Sequence, residues 1–236
     1  MLIYSLLLFL LVQANSYLNF DNIDTIELTK KNNLILRGQI DEESVSNIIY
    51  EINKVYNKSS VYLFLDTPGG EVTYGLQLIN EIKKNNISCI AQKAYSMGFA
   101  ILQACKRRYI LPHSSVMQHQ ITFGIGGELG KIKAHTLLVD QYNQYLIEMQ
   151  SKRIHMHPQT FTNKINNEWW LFGGNIIFEN VADEMVYASC NNGLTNTNFT
   201  ISRGPYDYTY SSCPLISKEL RKKKNKKGDD NIFFFI

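Results

Sequence analysis

Residues 60–84, SVYLFLDTPGGEVTYGLQLINEIKK, constrain the fold more than any other stretch. SVYLFLD (60–66) reads as a buried strand, and TPGG breaks it sharply. An amphipathic helix follows, with Val72, Leu76, Ile79 and Ile82 on one side. The same order recurs along the chain. NLILRG (33–38) is a β-prone run, and Asp41 then caps a helix with Glu42 and Glu43 in its first turn. Val45, Ile48, Ile49 and Ile52 give that helix an apolar face. ISCIA (87–91) is the next strand, leading through KAYSMGFA (93–100) into a helix that ends near Cys105. RRYILP (107–112) and SVMQH (115–119) predict two strands around a Pro-His turn. This repeated β-α order predicts the α/β class, a mainly parallel sheet flanked by helices.

The 236 residues suffice for one sizeable domain of this kind. After the Gly-rich FGIGGELG (123–130), a long helical pattern runs to about Arg153, with Leu138, Tyr142, Tyr145 and Met149 in a stripe. Such a stripe suits either the core or the surface of another subunit. From about Asn191 the periodicity is lost, so residues 191–236 are expected to form a loop-rich extension. Its segment KELRKKKNKKGDD (218–230) holds seven basic and three acidic side chains, and the net +3 of the chain becomes about −1 without it. That run reads as a solvated tail, and the folded part needs no basic face for nucleic acid.

The first residues, MLIYSLLLFLLVQANS, carry an apolar run from Leu2 to Val12, too short to span a bilayer comfortably. It ends in small residues that suit signal-peptidase cleavage, which makes 1–14 a signal peptide or, alternatively, an anchor. Sequons at Asn57, Asn86 and Asn198 are compatible with a secretory compartment. The four cysteines show no metal spacing. Cys89 and Cys105 sit in apolar patterns and read as buried thiols, whereas Cys190 and Cys213 flank a loop-rich stretch and suit a disulfide in a secreted chain.

Ser96 lies at a strand-to-helix junction, where first-turn N–H groups point outward. A serine nucleophile needs a base, an acid that orients the base, and N–H donors for the oxyanion. The order of the residues, with His119 as the first useful histidine after Ser96, speaks against an α/β-hydrolase, which runs Ser, acid, His.

Four blocks taken together, LDTPGG (65–70), AYSMG (94–98), RYILPHSSVMQHQ (108–120) and EWWLFGGNIIFENVADEMV (168–186), resemble the Clp protease proteolytic subunit (ClpP) family in content and order. The resemblance implies a ClpP/crotonase-like fold over residues 22–190 with a projecting handle helix. It implies a serine endopeptidase with Ser96 as nucleophile, His119 as general base and the N–H groups of Gly70 and Met97 as oxyanion hole. It also implies that GIGGELG is an edge along which an extended substrate lies. A gap-free alignment puts Glu168 where the family has its orienting Asp, with Asp183 and Asn167 in reserve. Gln92 stands where the family commonly has Gly, and Ile121 where it has Pro.

No metal or organic cofactor is implied, and ATP enters only through an unfoldase partner. The implied partners are unfolded protein or peptide as substrate, further copies of the chain in rings, and an AAA+ unfoldase. The alternatives are a non-catalytic ring subunit and a membrane-associated relative that degrades signal peptides. The leader points to the secretory pathway, with a complex plastid or a membrane anchor as the other addresses.

Overall fold

The computed structural model of the chain describes residues 23–55, 60–203, 205–216 and 220–224. The leader (1–14), the sequon at Asn57 and the end of the basic tail lie outside them. Two compact units are present, one comprising residues 34–187 and the other 25–33 with the residues from 188 onward.

The larger unit is built on one sheet in the order β2-β3-β4-β5-β6, with β7 also paired to β5. Its strands are β2 (Asn33–Ile40), β3 (Tyr62–Gly70), β4 (Ser88–Tyr95), β5 (Arg108–Gln118), β6 (Trp169–Phe172) and β7 (Glu184–Met185). The β3–β4, β4–β5 and β5–β7 pairs are parallel, and β5–β6 is antiparallel. This is the expected α/β class. The helices are α1 (Glu42–Lys54), α2 (Val72–Asn85), α3 (Met97–Ala104), α4 (Leu129–Arg153), α5 (Pro158–Ile165) and α6 (Gly174–Phe178).

Local chemistry sets these boundaries. Asp41 caps α1 through a reciprocal box with Ser44, whose backbone N–H donates to the Asp41 carboxylate at 2.9 Å. Asn86 ends α2 in the left-handed conformation, with φ 54°. Helix α3 carries no charge and is buried along its whole length, so it threads the core between sheet and outer helices. Leu63, Leu65, Ile79, Ile90, Phe99, Ile110 and Phe161 belong to that core, each of them fully inaccessible.

Several expectations change. The two strands anticipated around the Pro-His turn are one strand, β5, whose register against β4 slips between Ala91/Ile110 and Lys93/Ser115. Ser114 holds the slip: its hydroxyl donates to Ala91 O at 2.6 Å and accepts from the Leu111 N–H at 2.7 Å. Gln92 is the residue passed over on β4. Cys89 and Cys105, expected as thiols, form a disulfide, because α3 runs back from Ser96 and returns Cys105 to the start of β4. Of the stripe read on α4, Leu138 and Tyr145 are exposed, and the buried residues are Val139, Leu146, Gln150 and Ser151.

The smaller unit pairs β1 (Thr25–Leu28) with β8 (Tyr187–Cys190). After the single turn α7 (Asn192–Thr195), it forms an antiparallel sheet in the order β11-β10-β9, from β9 (Asn198–Arg203), β10 (Tyr206–Ser211) and β11 (Arg221–Lys224). The extension is therefore not loop-rich, and part of the tail read as solvated is β11, a strand exposed at all four residues. Strand pairing and the Cys190–Cys213 disulfide order a segment that lacks a hydrophobic period.

Candidate active site

Ser96 sits where β4 ends and α3 begins. Its φ of 53° and ψ of −118° lie in a region that residues with a Cβ rarely occupy. The turn is fixed from three sides. The Ser96 N–H donates to Met117 O on β5 at 2.8 Å. The Ser96 carbonyl accepts from the N–H groups of Phe99 and Ala100 at the start of α3. On the third side stands Gly69, at φ 102°, where a Cβ would lie 2.7 Å from Ser96 Cβ and 2.8 Å from Tyr95 O. Only glycine lets β3 approach the serine this closely. The hydroxyl is thereby aimed out of the core.

His119 follows directly on β5, and its Nε2 lies 2.8 Å from Ser96 Oγ. The parallel pairing of β4 and β5 ends with Tyr95 beside Met117, so the two strands deliver serine and imidazole to the same edge. The His119 backbone N–H donates to Gln118 Oε1 at 3.0 Å, which steadies the histidine from its own strand. Ser96, His119, Gly70 and Met97 line one cavity of about 400 Å³. Met97 is the first residue of α3, so its N–H has no acceptor within the helix.

Glu168 occupies the turn between α5 and β6 with φ 61° and is exposed. Its carboxylate accepts from Trp170 Nε1 at 2.9 Å. It shares a shallow cavity with His119, Gln120 and Thr122, but among the described residues no hydrogen bond joins it to His119. Of the two Trp side chains beside it, Trp169 is buried and Trp170 is half exposed. Asn167 is exposed as well.

Asp183 is committed elsewhere. It accepts from Arg108 Nε at 3.1 Å, from the Arg108 backbone N–H at 2.8 Å and from Arg153 at 3.1 Å. Burial pushes its pKa up, but the hydrogen bonds from Arg108 and the two guanidinium charges outweigh that and hold it below the ordinary carboxylate value. This is an anchor for the segment after α6, well suited to structure and not to proton transfer.

The Gly-rich segment before α4 is exposed and has no regular structure between Ile121 and Gly127. The wall of the cavity opposite Ser96 comes instead from α4, through Asn143, Leu146, Ile147 and Gln150. These four stand at i, i+3, i+4 and i+7, the spacing of one helix face. Reading the sequence missed this face, since its two amides weaken the apolar signal. It missed Gly69 too, although the Gly-Gly pair was visible.

Comparison with known proteins agrees with this architecture. The model of the Clp protease family matches residues 19–185. The ATP-dependent Clp protease proteolytic subunit 2 of Thermobifida fusca (strain YX) is 31% identical over 138 residues, which is 55% of this chain and 66% of that subunit. The chain thus spans a little under two thirds of the length of that relative. With the family model covering most of the chain, through the Gly-Gly turn, the serine elbow and the histidine strand, the protein belongs to the Clp protease family.

Proposed function

We propose that the protein is a serine endopeptidase that hydrolyses peptide bonds of unfolded proteins or peptides. The observation that carries this reading is the Ser96 Oγ to His119 Nε2 distance of 2.8 Å at a strained elbow. In the reaction, Ser96 Oγ attacks the scissile carbonyl carbon while His119 Nε2 takes the hydroxyl proton. The negative charge formed on the carbonyl oxygen is met by the N–H groups of Gly70 and Met97. Collapse of the tetrahedral species breaks the C–N bond, and His119 returns the proton to the leaving amine. A water molecule, deprotonated by His119, then cleaves the acyl-serine ester and regenerates the hydroxyl. Glu168 orients His119 in this scheme. The gap-free alignment puts it in that role, it shares a cavity with the imidazole, as Glu71 does on the serine side, and contact with Nδ1 would require it to leave Trp170. Neither metal nor organic cofactor takes part.

The subunits are proposed to assemble in rings around a chamber. Leu137, Leu138 and Tyr145, exposed on α4, supply apolar surface for such contacts. An AAA+ unfoldase, powered by ATP, is the partner that family membership suggests, whereas in the secretory pathway the consistent reading is a peptidase that cleaves short or unfolded chains without ATP. The working compartment is proposed to be oxidising, as in the secretory pathway. Two disulfides support that address, because such bonds persist where thiols are not kept reduced.

The test is hydrolysis of a permanently unfolded protein substrate by the purified chain, with Ser96→Ala as control. Fragments from the wild type and none from the variant are expected. Equal fragment release by both would remove Ser96 from the mechanism.

A further inference from the structure

Beside the serine, the cavity is apolar along its sides and amide-lined at its base. Val72, Ala100, Leu146 and Ile165 form the sides. The base is a pair of glutamines, Gln118 at the end of β5 and Gln150 in α4, only 6% and 2% exposed. Gln118 Nε2 donates to Gln150 Oε1, Gln118 Oε1 accepts from the His119 N–H, and Gln150 Nε2 donates to Leu146 O at 2.8 Å. A primary amide offers two protons and two lone pairs. Each glutamine therefore keeps one N–H and one lone pair uncommitted, so no atom is orphaned yet the base can still both give and accept. Asn143 adds a third amide two helical turns from Gln150 on the same face.

Building on the peptidase reading of this site, we infer that the Gln118–Gln150 pair selects a neutral, amide-bearing side chain, glutamine foremost, on the residue whose carbonyl Ser96 attacks. With that carbonyl held at Ser96, the side chain on its Cα points into this cavity. A glutamine lays its methylenes along the apolar sides and exchanges a donor and an acceptor with the base. An aliphatic side chain such as leucine fills the same space but leaves the two amides with no new partner in a dry setting. Acidic side chains fare worse, since no Lys or Arg lines the cavity to offset desolvation and Glu71 adds a like charge, and a lysine finds only that exposed Glu71 carboxylate. Because the two glutamines already satisfy one another, the discrimination is moderate, about ten-fold and not thousands.

The experiment compares fluorogenic peptides that differ only in the residue before the scissile bond, Gln, Asn, Leu, Met, Lys or Glu, with fluorophosphonate labelling of the same preparation. Wild type is expected to show kcat/KM for Gln about ten-fold above Leu. Gln150→Met, similar in size and without the amide, is expected to reverse that order. The wild-type profile stands even if the variant fails to fold. Labelling together with a preference for Leu or Met overturns the amide selection and leaves the peptidase reading intact. A folded wild type that neither labels nor cleaves any peptide overturns both.

Discussion

Two strand-to-helix elbows flank β5 and make the same turn with different residues. Ser96 joins β4 to α3 at φ 53°, ψ −118°, and Gly173 joins β6 to α6 at φ 53°, ψ −132°. Each donates its N–H to a β5 carbonyl, Ser96 to Met117 at 2.8 Å and Gly173 to Ser114 at 2.9 Å. The conformation is open to glycine and costs a residue with a Cβ about 1–3 kcal/mol. At Gly173 the chain uses the residue that geometry favours. At Ser96 it keeps a hydroxyl where glycine would be more comfortable, and surrounds it with a buried helix, a close glycine and a histidine. Strain is retained at one elbow and relieved at its neighbour, the pattern expected if the first serves the proposed chemistry.

The largest effect should come from breaking the functional elbow. His119→Ala is expected to lower kcat/KM by at least about 10³-fold while leaving the melting temperature near that of the wild type. The opposite pattern is expected beyond the second elbow, where Asp183 anchors the segment after α6 to Arg108. Asp183→Asn should cost about 3 kcal/mol in denaturant unfolding at neutral pH, because it leaves a nearly buried guanidinium short of its partner. The pH dependence has a definite sign. A carboxylate held below its ordinary value stabilises the fold above the unfolded pKa and loses that contribution as pH falls through the folded one. Wild-type stability should therefore drop on acidification below about pH 4, and the variant should lack that part of the drop.

Smaller effects sharpen the contrast. Glu168→Gln is expected to reduce kcat/KM about ten-fold, well short of the roughly 10⁴-fold seen when a buried orienting acid is changed, since this carboxylate is exposed. Retention of full activity would take Glu168 out of the scheme. The smallest effect is in stability alone. Ser96→Gly should gain about 1 kcal/mol over Ser96→Ala, and Gly173→Ala should lose about 1 kcal/mol, both read by equilibrium unfolding.

Much of this arrangement was legible in the sequence, and what was not has physical causes. The alternation of strands and helices follows from apolar runs of the right length, and the start of α1 follows from Asp41 as cap with Glu42 and Glu43 in the first turn. Ser96 and His119 stand in short motifs at strand ends, where the pairing of β4 and β5 brings them together. The irregular pairing at Gln92 and Ser114 leaves no mark on hydropathy, so β5 looked like two strands. On α4 the exposed end carries leucines while the buried end carries Gln150, so a stripe drawn from apolar residues alone leaves Leu138 and Tyr145 on the surface, as suits contact with another subunit, and only Met149 against the core. Cys89 and Cys105 are 16 residues apart, and only the reversal of α3 against β4 makes them neighbours. The partner of the Glu168 carboxylate depends on a surface side chain, which no periodicity encodes.

The most direct measurement is a fluorophosphonate serine probe applied to the folded protein, with the adduct located by peptide mass mapping. The account predicts one adduct, on Ser96, lost in His119→Ala and retained in Asp183→Asn at a pH where that variant is folded. A folded wild type that carries no adduct on Ser96, or carries it on another serine, would contradict it.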